Sequence, residues 1–90
     1  MHYKKKKLFI EKVDSLKIVR KFGTPTYCYS LNKLKKNILD FQKNFKSISP
    51  LVCFSVKSNC NLQILKEIKK FGLGADVVSK GEMIQALKAG

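Results

Sequence analysis

Among the residues of this sequence whose types and spacing could do chemistry, Lys57 stands first. It directly follows Leu51–Val56, a nearly continuous apolar run of the kind found in strands covered on both faces. A lysine just beyond a buried parallel strand lies at the carboxyl edge of the sheet, where α/β proteins place their active sites. Desolvation at such an edge disfavours an ammonium and frees the amine to attack a carbonyl carbon. The plainer reading is a strand leaving for solvent through one of eighteen lysines. Ser79-Lys80-Gly81-Glu82 has S-x-x-E spacing, which on physical grounds alone is a capping box satisfying free backbone donors at a helix start. Gly72-x-Gly74 lacks the third glycine and the helix placement of a dinucleotide loop, so a helix C-cap with a tight turn is the better reading. Cys28, Cys53 and Cys60 are odd in number and contain no C-x-x-C pair, and His2 is the sole imidazole. That pattern disfavours a structural zinc site or a disulfide framework and fits a reducing, cytoplasmic compartment. No Ser/His/Asp set exists. Tyr27 and Tyr29 read as strand packing rather than as a base-stacking platform.

The whole chain must build whatever positions Lys57. Ninety residues suffice for one small domain and bury only a modest core. Hydrophobic residues make up 44% and charged ones 28%, a globular balance that argues against disorder throughout. The formal charge of +13 invites a nucleic-acid or acidic-membrane reading. Against it, the single arginine is Arg20, and the lysines are spread along the chain. Base readout and bidentate phosphate clamping favour guanidinium, so the expectation is no specific nucleic acid and no membrane as partner. A small basic nucleic-acid- or anion-binding protein remains the competing class. No stretch approaches the ~18 apolar residues needed to cross a bilayer. Lys4–Lys7 lead only into Leu8-Phe9-Ile10 before Glu11 interrupts, too short for the apolar part of an export signal.

Periodicity predicts the elements. Residues 1–23 are a basic, weakly patterned lead-in with a short helix over Ser15–Phe22, stopped by Gly23. Thr24-Pro25 breaks the chain, and the alternating aromatics of Thr26–Tyr29 predict a strand. Ser30 can cap a helix whose apolar residues Leu31, Leu34, Ile38, Phe41 and Phe45 recur three or four apart. The Leu51–Val56 strand follows Ser49-Pro50. Asn61 caps a second stripe, Leu62, Leu65, Ile68 and Phe71, closed at Gly72. Ala75–Val78 predicts a third strand, and Ser79 opens a third helix running to Gly90. The alternation is that of an α/β fold with crossover helices, too short for a closed barrel or a doubly wound sheet. The expectation is the opening part of a larger α/β enzyme.

Three blocks, in order, resemble one known family. Phe22–Ser30 is similar to its "GTP-x-Y-x-Y" segment, Phe54–Asn59 to "YAVKAN", and Gly72–Met83 to "G-x-GADVVS-x-GEL". These motifs belong to the fold type III, pyridoxal-phosphate-dependent amino acid decarboxylases, and the resemblance runs from Phe22 to Gly90. It implies a truncated opening of an alanine-racemase-like TIM barrel over residues 31–90. Residues 1–30 would be a lead-in and strand of the β-rich second domain. By the same resemblance Lys57 is the lysine that bonds pyridoxal 5′-phosphate covalently. Asp76 and Ser55 are cofactor-binding residues, and Asn59, Ser79 and Glu82 lie near the site.

The resemblance further implies that substrate amine displaces Lys57 and that the substrate carboxylate leaves as carbon dioxide. The "ADVVS" wording and Gly81 before Glu82 favour the diaminopimelate branch, which makes L-lysine from meso-2,6-diaminopimelate. Ornithine or arginine is the near alternative substrate. A small-molecule amino acid is thus the expected partner, together with a second copy of the chain, since the family's site is completed across a homodimer. A pyridoxal-binding module without turnover is a third reading. Ser55 and Ser58 stand where the family motif usually has alanines. The family's pyridine-nitrogen acid, glycine-rich phosphate site, stacking His and substrate-binding Arg, Cys and Tyr are absent from these 90 residues. The isolated chain is therefore expected to be inactive and poorly folded.

Overall fold

A computed structural model describes residues 1–90 and shows two compact units, residues 1–34 and 35–90. In the first, β1 (His2–Lys4), β2 (Lys7–Ile10) and β3 (Val13–Asp14) form an antiparallel sheet in that order, followed by α1 (Ser15–Phe22). The β1–β2 turn is Lys5-Lys6, with φ of 48° and 61°. Positive φ at both central residues matches the right-handed twist of a hairpin, but such turns normally announce themselves as Asn-Gly or Asp-Gly. Two lysines carry no such signal, which is why the lead-in looked unpatterned. The helix α1 has the expected bounds, and Asp14 caps it by accepting from the Leu16 N–H at 2.9 Å.

Thr26–Tyr29 corrects the sequence reading. The segment is not a strand: it pairs with nothing and lies along a groove lined by Ile10, Val13, Ile18 and Phe22. Alternating aromatics favour an extended backbone, yet a strand also needs a neighbour to complete its ladder. Here Tyr27 is 89% exposed. A carboxylate organises this unit instead. Glu11 accepts from the Ser30 hydroxyl at 2.7 Å, the Asn32 backbone N–H at 2.9 Å and the Asn32 amide at 2.8 Å. The Asn32 N–H first, and then the Ser30 hydroxyl, hold its carboxyl below the usual carboxylate range.

The helix α2 (Leu31–Asn44) begins as expected, with the Lys33 N–H donating to the Ser30 hydroxyl at 3.1 Å. Beyond Leu34 it belongs to the second unit, where Ile38 is buried and the Gln42 amide donates to the Phe71 carbonyl at 3.0 Å. There β4 (Cys53–Ser55) and β5 (Gly74–Asp76) pair in parallel, joined by a 3₁₀ turn over Val56–Ser58 and by α3 (Leu62–Lys69). The helix α4 (Lys80–Ala89) follows β5 and packs on α3. The core of this unit is Ile38, Val56, Ile64, Leu65 and Ile68.

The Leu51–Val56 run is covered on one face only, a second correction. Side chains alternate across a strand, and Phe54, half-buried, faces a cavity it lines together with Leu65, Ile68, Met83 and Leu87 of the two helices. Cys53 is exposed, and Leu51, outside the strand proper, is 83% exposed. A continuous apolar run specifies that both faces avoid water, but the two strands and three helices of this unit cover only one.

Candidate active site

The site is built at the carboxyl edge of the two parallel strands. Register pairs Cys53 with Gly74, Phe54 with Ala75, and Ser55 with Asp76. Paired residues point to the same side, so Cys53, Ser55 and Asp76 share the face away from α3 and α4. Gly74 allows a close approach there: a Cβ at this position would stand 2.8 Å from Cys53 Sγ. Both strands can therefore deliver their last residues, Ser55 and Asp76, side by side.

Lys57 is the middle residue of the 3₁₀ turn that leaves β4. Two backbone-level ties fix that turn. The Asn59 N–H donates to the Val56 carbonyl at 3.0 Å, and the Ser58 hydroxyl donates to the Ser55 carbonyl at 2.7 Å. Val56, immediately before the lysine, is completely buried. The Lys57 side chain itself is exposed and joins none of the ion pairs, which are Lys7–Asp14, Lys36–Asp40 and Lys70–Glu67. The desolvation expected from a strand buried on both faces is not supplied by these residues, because the face next to Lys57 is the open one. What the arrangement offers is a primary amine uncommitted to any carboxylate, held on an ordered turn beside small side chains.

The remaining sequence candidates divide by use. Ser55 and Asp76 are brought together with Lys57 at one sheet edge. Asn59 accepts from the Asn61 N–H at 3.0 Å, and Asn61 in turn caps α3 by accepting from the Gln63 and Ile64 N–H groups. Ser79 caps α4 by accepting from the Glu82 N–H at 3.2 Å. Glu82 reaches back one residue further than the usual box, accepting from the Val78 N–H at 3.0 Å. Both side chains are thus occupied in starting α4. Gly72, at φ 72°, donates its N–H to the Lys69 carbonyl and ends the α3 segment. It precedes the amino end of β5, the opposite edge from Lys57, so the Gly72-x-Gly74 pair has no place in the site. Sequence reasoning missed the cross-strand fit of Cys53 with Gly74 and the bond made by Ser58. A period of two from Ser55 points to Cys53, whereas nothing local marks its neighbour on β5.

Comparison with known proteins shows what this chain is similar to. Residues 31–90 match the family described as pyridoxal-dependent decarboxylase, pyridoxal binding domain. The chain is 43% identical over 83 residues to the diaminopimelate decarboxylase of Neisseria meningitidis serogroup A, covering 92% of this chain and 20% of that protein. With the Aquifex aeolicus diaminopimelate decarboxylase it shares 40% over 90 residues, or 100% and 21% of the two chains. Among solved structures, AQ1208 from Aquifex aeolicus superposes with a TM-score of 0.92 at 40% identity, covering 98% of this chain and 22% of that one. The diaminopimelate decarboxylase from M. jannaschii, crystallised in complex with L-lysine, gives a TM-score of 0.92 at 33% identity, with 98% and 22% covered. The chain spans about one fifth of the length of the curated relatives it matches.

Proposed function

This chain belongs to the pyridoxal-dependent decarboxylases, and on that premise we propose that it supplies the Lys57-bearing part of an enzyme that converts meso-2,6-diaminopimelate to L-lysine and carbon dioxide. The observation that carries the reading is the uncommitted Lys57 amine at the carboxyl edge of the parallel pair, with Ser55 and Asp76 in register beside it. The relatives named diaminopimelate decarboxylase, one of them crystallised with L-lysine, support that substrate over ornithine or arginine.

The residues fit the aldehyde end of a pyridoxal group. Lys57 would provide the amine that holds the aldehyde carbon, Ser55 and Asp76 would line its edge, and Asn59, Ser79 and Glu82 shape the loop and helix start nearby. When bound, pyridoxal phosphate supplies an electron sink for the pair left on the α-carbon as carbon dioxide departs. Lys57, exposed and paired with no carboxylate, would also be able to carry a proton at Nζ. Asp76 adds negative charge to the same edge, and Ser55 leaves room there through its small size. Residues 1–30 belong, in this reading, to a β-rich second domain and residues 31–90 to the first βα units of a TIM barrel. The start of the family match at residue 31 and the compact unit beginning at Lys35 support that division. The working enzyme is a cytoplasmic homodimer.

Two measurements test this on the complete gene product that carries the segment. Borohydride reduction in the presence of pyridoxal phosphate should leave a pyridoxyl adduct on the peptide containing Lys57, absent from Lys57→Ala. Carbon dioxide release should be fastest from meso-diaminopimelate. An adduct on another lysine, or preference for ornithine or arginine, would overturn the corresponding part of the proposal.

A further inference from the structure

We propose that Ser58 is a positioning residue for Lys57, acting through the hydroxyl bond that ties the lysine's turn back onto the end of β4. The inference rests on the assignment of Lys57 as the cofactor lysine. Lys57 has a buried anchor on one side, Val56, whose side chain is fully enclosed. On the other side the chain is exposed, and Ser58 provides the constraint by donating to the Ser55 carbonyl at 2.7 Å, near the usual length for a hydroxyl donor. That carbonyl belongs to the last residue of β4, the one in register with Asp76. The bond therefore spans the lysine, from the residue after it to the strand end two residues before it. It also couples the orientation of the turn to the edge on which Ser55 and Asp76 stand.

The turn retains a second tie, from the Asn59 N–H to the Val56 carbonyl at 3.0 Å, and Asn59 is itself held by the Asn61 N–H. Losing the Ser58 hydroxyl should therefore loosen the turn without dismantling it. The consequence falls on how often Lys57 Nζ occupies the geometry that bonds the aldehyde carbon. An alanine at position 58 would leave the backbone path available but remove the one side-chain bond that closes it around the lysine.

The test uses the complete holoenzyme. Ser58→Ala should weaken pyridoxal phosphate retention about fivefold, the order expected for one hydrogen bond. It should also change the visible circular dichroism per bound cofactor, which reports how the lysine-bound ring is oriented. Ser58→Thr, which keeps the hydroxyl, should restore both readouts, and Ser58→Val, similar in bulk but without it, should not. Unchanged retention and dichroism in Ser58→Ala, or equal behaviour of the Thr and Val variants, would overturn the proposal. The Thr and Val pair decides the matter even if the alanine variant does not accumulate. Failure of wild-type protein to trap the cofactor at Lys57 would instead remove the assignment on which this inference rests.

Discussion

Replacing Gly74 by alanine should change sign with the residue at position 53. The built Cβ would meet Cys53 Sγ at 2.8 Å, while its next neighbours, Cys53 Cβ and the Val52 carbonyl, are 3.9 Å away. Overpacking of this kind costs about 1–3 kcal/mol. Because the contact is with the end of a side chain rather than with backbone, the lower end applies, about 1 kcal/mol. Alanine also recovers roughly 0.5–1 kcal/mol that glycine forfeits in a strand, so in the native background the net effect is small or mildly destabilising. In a Cys53→Ala background the 2.8 Å contact is gone and only 3.9 Å contacts remain. There Gly74→Ala should stabilise the β4–β5 pair by the full ~0.5–1 kcal/mol. The double-mutant cycle thus has a coupling energy of about 1 kcal/mol, all of it assigned to one sulfur. Amide hydrogen exchange at residues 53–55 and 74–76 of the complete protein reads this locally. Equal effects of Gly74→Ala in the two backgrounds would show that the close approach does not exist and that the register beside Lys57 is wrong.

Three other outcomes follow, two of them from particular bonds. The Glu11 carboxyl is held below its ordinary range by the Asn32 N–H and the Ser30 hydroxyl, so its contribution is complete above the unfolded carboxylate pKa and is lost as pH falls through the lowered folded value. Protection of the Asn32 amide should therefore decline on acidification, and Glu11→Gln should flatten that dependence; an unchanged profile would refute the assignment. Asn61→Ala removes the acceptor for two N–H groups at the start of α3 and should cost about 1 kcal/mol, read as faster exchange at Gln63 and Ile64. The 90-residue chain by itself should be poorly folded and release no carbon dioxide from meso-diaminopimelate, and a cooperative thermal transition with stable cofactor absorbance would contradict that expectation.

The four helices were legible because their signals are local. Asp14, Ser30, Asn61 and Ser79 each cap a helix within three residues of themselves, and the first apolar stripe runs on into buried Ile38. Of these caps, only Asp14 was not singled out beforehand. The parallel βαβ order was readable for the same reason, since apolar runs and Gly72 punctuate it in sequence. Lys57 could be placed at a strand end from its neighbours alone, although the motif resemblance was needed to choose its role.

Interactions between distant residues were not legible in this way. The Lys5-Lys6 hairpin turn lacks the residues that ordinarily mark one, and its conformation is set by the pairing of β1 with β2. Thr26–Tyr29 has strand composition but no neighbour to pair with, so composition alone misled. The register that sets Ser55 beside Asp76 and Cys53 against Gly74 depends on residues about twenty apart meeting across a crossover. Local propensity and periodicity determine where this chain curls, caps and extends. Only the tertiary structure decides which extended segments find partners and which side chains share an edge, because those choices depend on shape and ladder bonding between segments that carry no information about each other.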